Sequence, residues 1–83
     1  MFDIRCISPL DDDWENRDVL IQKAAGKKPH KAGAGKTSAM KIGERDSLWL
    51  VPNFDQALEL KKRLEQVPGV RCVTIREHDS LLD

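Results

Sequence analysis

The segment between Asn53 and Gly69 restricts the fold more than any other part of this chain. Asn53 and Gln56 have the spacing of a capping box, and Pro68-Gly69 stops any helix that begins there. Between these signals, apolar residues recur at helical spacing, with charged residues on the opposite side. The apolar stripe consists of Phe54, Ala57, Leu60, Leu64 and Val67. We therefore predict an amphipathic helix that must bury one side against other elements.

Patterns typical of strands stand on both sides of this helix. Residues 47–51 are mostly apolar and end at Pro52, while residues 70–77 are rich in β-branched side chains. Residues 37–43 alternate between apolar and polar side chains and are separated from residues 47–51 by a short polar break. We predict that these two segments form a hairpin and that residues 70–77 form the last strand.

The first quarter of the chain predicts one more strand and one more helix. Residues 2–8 alternate in the way that a half-buried strand does. Asp12 and Glu15 have capping-box spacing, and acids are favoured in the first turn of a helix. We predict a helix from Trp14 to Ala25 that Gly26 ends.

The predicted order is therefore β-α-β-β-α-β, within one domain that covers residues 1–83. This order, and the Pro-Gly-Val turn before a β-branched strand, resemble the ferredoxin-like fold. The resemblance implies an α+β fold, with a four-stranded antiparallel sheet that carries two helices on one face. Many functions share this fold, so the resemblance identifies no family. Ser8-Pro9-Leu10-Asp11 replaces the cysteine-pair loop of metallochaperones, and Trp49 is the only aromatic candidate for an RNA-recognition sheet.

Composition restricts the class of protein further. The chain has 83 residues, so it has room for a single core, and its longest apolar run is Leu48-Trp49-Leu50-Val51. That run is far too short to cross a bilayer, so we expect no membrane span. Two cysteines do not make a disulfide scaffold, and we expect a cytoplasmic protein.

The net charge is zero, yet the charges are unevenly distributed. Residues 1–22 hold six acids and two bases, whereas residues 23–45 hold seven bases and one acid. The glycine-rich segment 26–36 lacks large apolar side chains, so we predict a flexible basic loop. Its candidate anion-binding residues are Lys27, Lys28, His30, Lys31 and Lys36. This loop is our alternative function, the binding of a nucleic acid, a nucleotide or another anion.

Motifs for catalysis or for metal binding are weak. Gly35-Lys36-Thr37 ends like a phosphate-binding loop, but His30 stands where that motif needs glycine. The acids Asp11-Asp12-Asp13 lack the spacing of a calcium loop and are explained by helix capping. We assign no catalytic residues, no metal ligands and no cofactor, and an enzyme is the function that we expect least.

The cysteines are predicted to lie on opposite faces of the sheet. Cys6 follows the apolar side of the first strand, whereas Cys72 alternates with Val73 and Ile75. We therefore expect Cys6 in the core and no disulfide bond between the two residues.

The third strand is apolar on both faces, and this predicts an interaction surface. Trp49 and Val51 are expected in the core, which leaves Leu48 and Leu50 on the face that the helices do not cover. We predict a partner-binding patch there, made of Ile7, Leu48, Leu50, Val70, Cys72 and Arg76. Our leading hypothesis is a small noncatalytic module that uses this face for self-association or for docking on a larger protein.

Overall fold

A computed structural model describes residues 1–34 and 43–77 of the chain, and these form one layer of strands and one of helices. The elements are β1 (Phe2–Pro9), α1 (Trp14–Ala25), β2 (Lys31–Ala34), β3 (Glu44–Val51), α2 (Phe54–Glu65) and β4 (Cys72–Glu77). The strands lie in the order β2-β3-β1-β4, and all neighbours are antiparallel. The predicted α+β ferredoxin-like layout is confirmed.

Helix α1 has the predicted bounds, but its first turn differs from the prediction. Gly26 ends the helix in the left-handed conformation at φ 78°, and its N–H donates to the Gln22 carbonyl at 2.9 Å. The N-cap residue is Asp13, not Asp12, and its side chain makes no capping hydrogen bond within the described residues. The Asp11 carboxylate accepts a hydrogen bond from the Asp13 N–H at 3.0 Å, one residue before the helix begins.

Helix α2 begins as predicted. The Asn53 side chain accepts a hydrogen bond from the Gln56 N–H at 2.9 Å, so one of the free backbone donors of the first turn is satisfied. Ala57, Leu60 and Leu64 are buried, as the predicted stripe requires. Neither α1 nor α2 is long and apolar enough to span a membrane.

Strand β2 corrects the predicted flexible loop over residues 26–36. Lys31–Ala34 pair with β3, and the His30 N–H donates to the Leu48 carbonyl at 2.7 Å. Backbone hydrogen bonds hold this edge strand, so it does not depend on large apolar side chains. The strand predicted at residues 37–43 lies outside the described residues except for Gly43, and so does the predicted tail at residues 78–83.

The core lies between one face of the sheet and the helices α1 and α2. Trp49 is 1% exposed, and its indole N–H donates to the Lys27 carbonyl at 3.2 Å. The prediction that Trp49 belongs to the core is confirmed. Its neighbours in the core are Ile4, Cys6, Ile21, Ala25, Val51, Ala57, Leu60, Leu64, Val67 and Val73.

The two cysteines lie where the alternation of the strands placed them. Cys6 is buried in the core, and this burial raises the pKa of its thiol to about 12. Cys72 is exposed and is the register partner of Ile7, whereas Cys6 is the partner of Val73. Both thiols are free, and they lie on opposite faces of the sheet, as the alternation of the strands predicted.

Candidate functional site

The side of the sheet that faces away from α1 and α2 is called the open face below. Ile4 and Cys6 point into the core, so the alternating residues of β1 must point to the open face. The strand register then places residues of β2, β3 and β4 beside them. The open face contains Asp3, Arg5, Ile7, Lys31, Asp46, Leu48, Leu50, Cys72, Thr74 and Arg76.

Five of the six residues predicted for the partner-binding patch lie on this face. They are Ile7, Leu48, Leu50, Cys72 and Arg76. Val70 does not belong to it, because β4 begins only at Cys72 and Val70 packs against the core from the preceding turn. The Val70 N–H donates to the Val67 carbonyl at 3.3 Å, which holds it in that turn.

The open face is less apolar than the sequence predicted. Leu48, Leu50 and Ile7 are only half-exposed, and none of them is among the strongly exposed large apolar residues. Charged side chains stand beside them on β1. Arg76 contacts Asp3 with Nη2 and Oδ2 at 3.3 Å. The Asp3 side chain is 7% exposed while that of Arg76 is 74% exposed, so a buried carboxylate holds an arginine that reaches into solvent.

A second charged pair joins β1 and β3. The Arg5 Nε atom lies 3.4 Å from Oδ1 of Asp46, and this oxygen is buried and accepts no hydrogen bond from the described residues. Burial raises the pKa of the Asp46 carboxyl, and Arg5 opposes this only in part. Ion pairing at this distance lowers the electrostatic energy without providing a well-directed hydrogen bond.

Together these side chains surround a concavity of about 660 Å³. Leu48 and Leu50 line it together with both charged pairs. The β2 side is formed by His30, Lys31, Ala32 and Gly33. The concavity therefore combines partly buried apolar side chains with paired charged groups.

The residues predicted to bind anions are not brought together. His30 and Lys31 line the concavity of the open face. Lys27 and Lys28 instead border a separate depression of about 350 Å³ beside Val19 on α1. Lys36 lies outside the described residues. The structure therefore divides the predicted basic loop between two surfaces.

Asp11, the first of the acidic residues before α1, is engaged within the chain. Arg17 donates to both carboxylate oxygens of Asp11 at 3.0 Å and to the Pro9 carbonyl at 2.9 Å. The hydrogen bonds from Arg17 lower the pKa of the Asp11 carboxyl. Within residues 1–34 and 43–77, no group of three His, Cys, Asp or Glu side chains is arranged to hold a metal ion.

The charged pairs are the part of the site that sequence reasoning missed. Each pair joins residues far apart in the chain, and its detection requires the strand register. The sequence did contain one signal for such a pair. Asp3 and Arg76 carry opposite charges and belong to the first and last predicted strands, which are neighbours in the predicted fold.

Comparison with known proteins identifies the fold. No protein-family model and no curated protein matches this chain. The crystal structure of protein Atu4242 from Agrobacterium tumefaciens is similar, with a TM-score of 0.52 and 16% sequence identity, over 92% of this chain and 89% of that chain. At this identity the likeness shows the fold alone, so the function has to be argued from the side chains of the open face.

Proposed function

We propose that this protein is a noncatalytic binding module that docks a convex segment of a partner protein in the concavity of its open face. The observation that carries this proposal is the composition of that concavity. Leu48 and Leu50 offer apolar contact, and the pairs Arg76–Asp3 and Arg5–Asp46 line the same concavity. In protein interfaces, apolar contacts exclude water and polar groups around them fix orientation.

The shape of the face favours a convex partner over a second copy of the same face. Two concave faces placed against each other would leave both concavities unfilled, and interfaces are packed about as densely as protein interiors. A helix or a loop of another protein fills such a space. We therefore prefer docking over self-association through this face.

Arg76 is the residue that we expect to contribute most to binding. Its guanidinium is exposed, so it is accessible to a partner, and Asp3 restricts its orientation before the partner arrives. Arginine is enriched among the residues that dominate binding energies, because its planar group donates several hydrogen bonds at once. Leu48 and Leu50 would provide the neighbouring contacts that exclude water.

The proposal of a noncatalytic role rests on the pairing of the charged groups. Asp3 and Asp46 each face an arginine, so the carboxylates of the concavity are engaged in ion pairs. The Cys6 thiol is buried, and its pKa of about 12 makes it a poor nucleophile. Free thiols also favour a reducing compartment, so the cytoplasm remains our proposed location.

Binding of an anion in the same concavity is the second candidate. The observation that favours it is that His30 and Lys31 line the concavity together with Arg5 and Arg76. Such binding would weaken steeply as the salt concentration rises, because phosphate contacts release counterions. Docking of a protein through apolar contacts would depend much less on salt.

A capture experiment from native lysate, with two matched variants, tests the proposal. Leu48→Asp places a charge in the lining of the concavity, and Leu20→Asp places the same charge on the exposed side of α1, where Leu20 is 47% exposed. Circular dichroism and thermal unfolding establish that both variants fold. We expect the wild type and Leu20→Asp to retain the same protein at a saturable ratio, and Leu48→Asp to lose it.

Equal retention by the two variants, or no saturable protein on the wild type, would contradict the proposal. If a nuclease or a moderate rise in salt removes the captured material, and Lys31→Ala also removes it, the second candidate replaces the first.

A further inference from the structure

Strand β4 forms one edge of the described sheet. Within residues 1–34 and 43–77 it pairs with β1 on one side only. The outer side of such a strand presents unpaired backbone N–H and carbonyl groups, which can pair with another strand. Cys72–Glu77 contains neither proline nor glycine, and its centre, Val73-Thr74-Ile75, is fully β-branched.

The opposite edge is less suited to strand pairing. The described part of β2, Lys31–Ala34, includes Gly33 and the exposed Lys31. Exposed lysines are a common means by which proteins prevent edge-to-edge association, and glycine weakens a strand. Strand β4 carries its two charged side chains, Arg76 and Glu77, at one end, and its residues 72–75 are uncharged. If this sheet pairs with another strand at one of these edges, β4 is therefore the better candidate.

Symmetry limits how β4 can pair with β4 of a second copy. Side-by-side antiparallel strands of two identical chains are related by a two-fold axis perpendicular to the sheet. This axis leaves both helix layers on the same side, so paired residues must come from the same face of each strand. Alternate residues of a strand share a face, so two residues that pair across the axis must be an even number of positions apart in the sequence. The axis must therefore pass at a residue position and not between two residues.

A centre at Thr74 gives the best match of side chains. Val73 then pairs with Ile75 of the second copy on the core side, and Cys72 pairs with Arg76 on the open face. All five residues from Cys72 to Arg76 are then paired with residues of the same face.

The neighbouring centres are worse. A centre at Ile75 places the buried Val73 opposite the carboxylate of Glu77, which sets a charge against a core side chain. A centre at Val73 pairs only residues 72–74 and leaves Ile75, which packs against the core, beyond the paired segment. Only the centre at Thr74 sets Val73 against Ile75.

We infer that two copies of this chain associate through β4, antiparallel and centred on Thr74, so that their described sheets join into one. The two-fold axis places both open faces on the same side of the joined sheet. A dimer would thus present two concavities side by side, and a partner with two docking segments would bind with avidity. This association does not require the docking function to be correct.

Thiol cross-linking tests the strand and its register together. In a Cys72→Ser background, Thr74→Cys places one exposed thiol at the two-fold axis, opposite its own copy. A short bis-maleimide should convert most of this variant to a covalent dimer at micromolar protein concentration. The buried Cys6 should not react under native conditions, because both burial and its raised pKa protect it.

Two control proteins should both give little dimer. In the same Cys72→Ser background, Ala32→Cys places an exposed thiol on the other edge strand, β2, and should give little dimer. The wild type has its native thiol at Cys72 on the same face as Thr74. Pairing centred on Thr74 separates the two Cys72 residues along the strands, so the wild type should also give little dimer.

Cross-linking at Thr74→Cys no greater than at Ala32→Cys would overturn the inference, and dimer formation by the wild type equal to that of Thr74→Cys would overturn the register. Sedimentation of the wild type provides a measurement without any substitution. We expect reversible dimerisation, and a monomer at all concentrations up to hundreds of micromolar would overturn the association.

Discussion

Asp46 lies in surroundings that disfavour its charge. Its Oδ1 atom is buried, and Arg5 Nε is 3.4 Å away. Burial disfavours the charged carboxylate more than Arg5 favours it, so the pKa of Asp46 is raised in the folded protein. The folded state then binds a proton more readily than the unfolded state. The contribution of Asp46 to stability therefore falls as the pH rises from the ordinary aspartate pKa through the raised value.

We expect Asp46→Asn to remove this pH dependence. The asparagine side chain has nearly the same shape as that of aspartate but does not ionise. The free energy of unfolding of the variant relative to the wild type should therefore increase as the pH rises through that interval. Above the raised pKa the difference should stay constant. Urea unfolding across a pH series measures it, and Asp55→Asn on the exposed side of α2 serves as the control. A difference between Asp46→Asn and the wild type that is the same at every pH would show that the carboxyl is not perturbed.

For single residues, the sequence predicted which face of the sheet a side chain occupies better than it predicted which side chain it contacts. Alternation within one strand is enough to place Leu48, Leu50 and Cys72 on the open face, because the period of a strand is fixed. The pairs of Arg5 with Asp46 and of Asp3 with Arg76 depend on how three strands are aligned. A pattern within each strand does not contain that alignment, and the predicted apolar patch is therefore a mixed surface.

Among the elements, α2 begins at a side-chain cap. The Asn53 side chain accepts from the Gln56 N–H, and its own backbone is extended, as N-cap residues are. We expect Asn53→Ala to lower the free energy of unfolding by about 1 kcal/mol. Asn53→Asp keeps an acceptor at the same place and should retain most of the stability. Chemical denaturation of the three proteins measures this, and equal losses in both variants would exclude the cap as the cause.

The helices could be predicted from the sequence because their signals are local. The bounds of α1 follow from Gly26 and from the residue pattern, and those of α2 from Asn53 and Pro68-Gly69. Strand β2 could not be predicted in the same way. Lys31–Ala34 has no large apolar side chain, and backbone pairing with β3 holds it in place. Backbone pairing of this kind produces no periodic pattern of side chains in the sequence.

For the whole molecule, α1 is held to the sheet by polar contacts as much as by its core residues. Ile21 and Ala25 are buried, but Val19 is 52% exposed. The Arg45 Nε atom on β3 contacts Oδ2 of Asp18 at 2.6 Å, and its guanidinium lies 4.7 Å from the ring centroid of Trp14. A layer with few buried apolar side chains opens more readily than the rest of a fold.

We therefore expect Arg45→Met to loosen α1 selectively. The substitution removes the cation–π contact and leaves the Asp18 side chain, which is 15% exposed, without this arginine. A loss of about 1–3 kcal/mol in unfolding free energy is expected for a charged hydrogen bond in such a position. Hydrogen exchange should accelerate in residues 14–25 more than in residues 54–65. Arg45→Lys should recover part of the loss, and uniform acceleration across both helices would argue against selective anchoring.

The central position of β1 has a consequence for the synthesis of the protein. Phe2 is the register partner of Val51 on one side and of Glu77 on the other. Of the strands in this sheet, β1 is therefore synthesised before both of its neighbours and gains the second one only when β4 has emerged. Until β3 and β4 emerge, Ile4 and Cys6 belong to a strand without either neighbour, and contacts of such long sequence separation form slowly. A nascent chain halted before Cys72 would keep one edge of β1 open and available to chaperones or to other nascent chains.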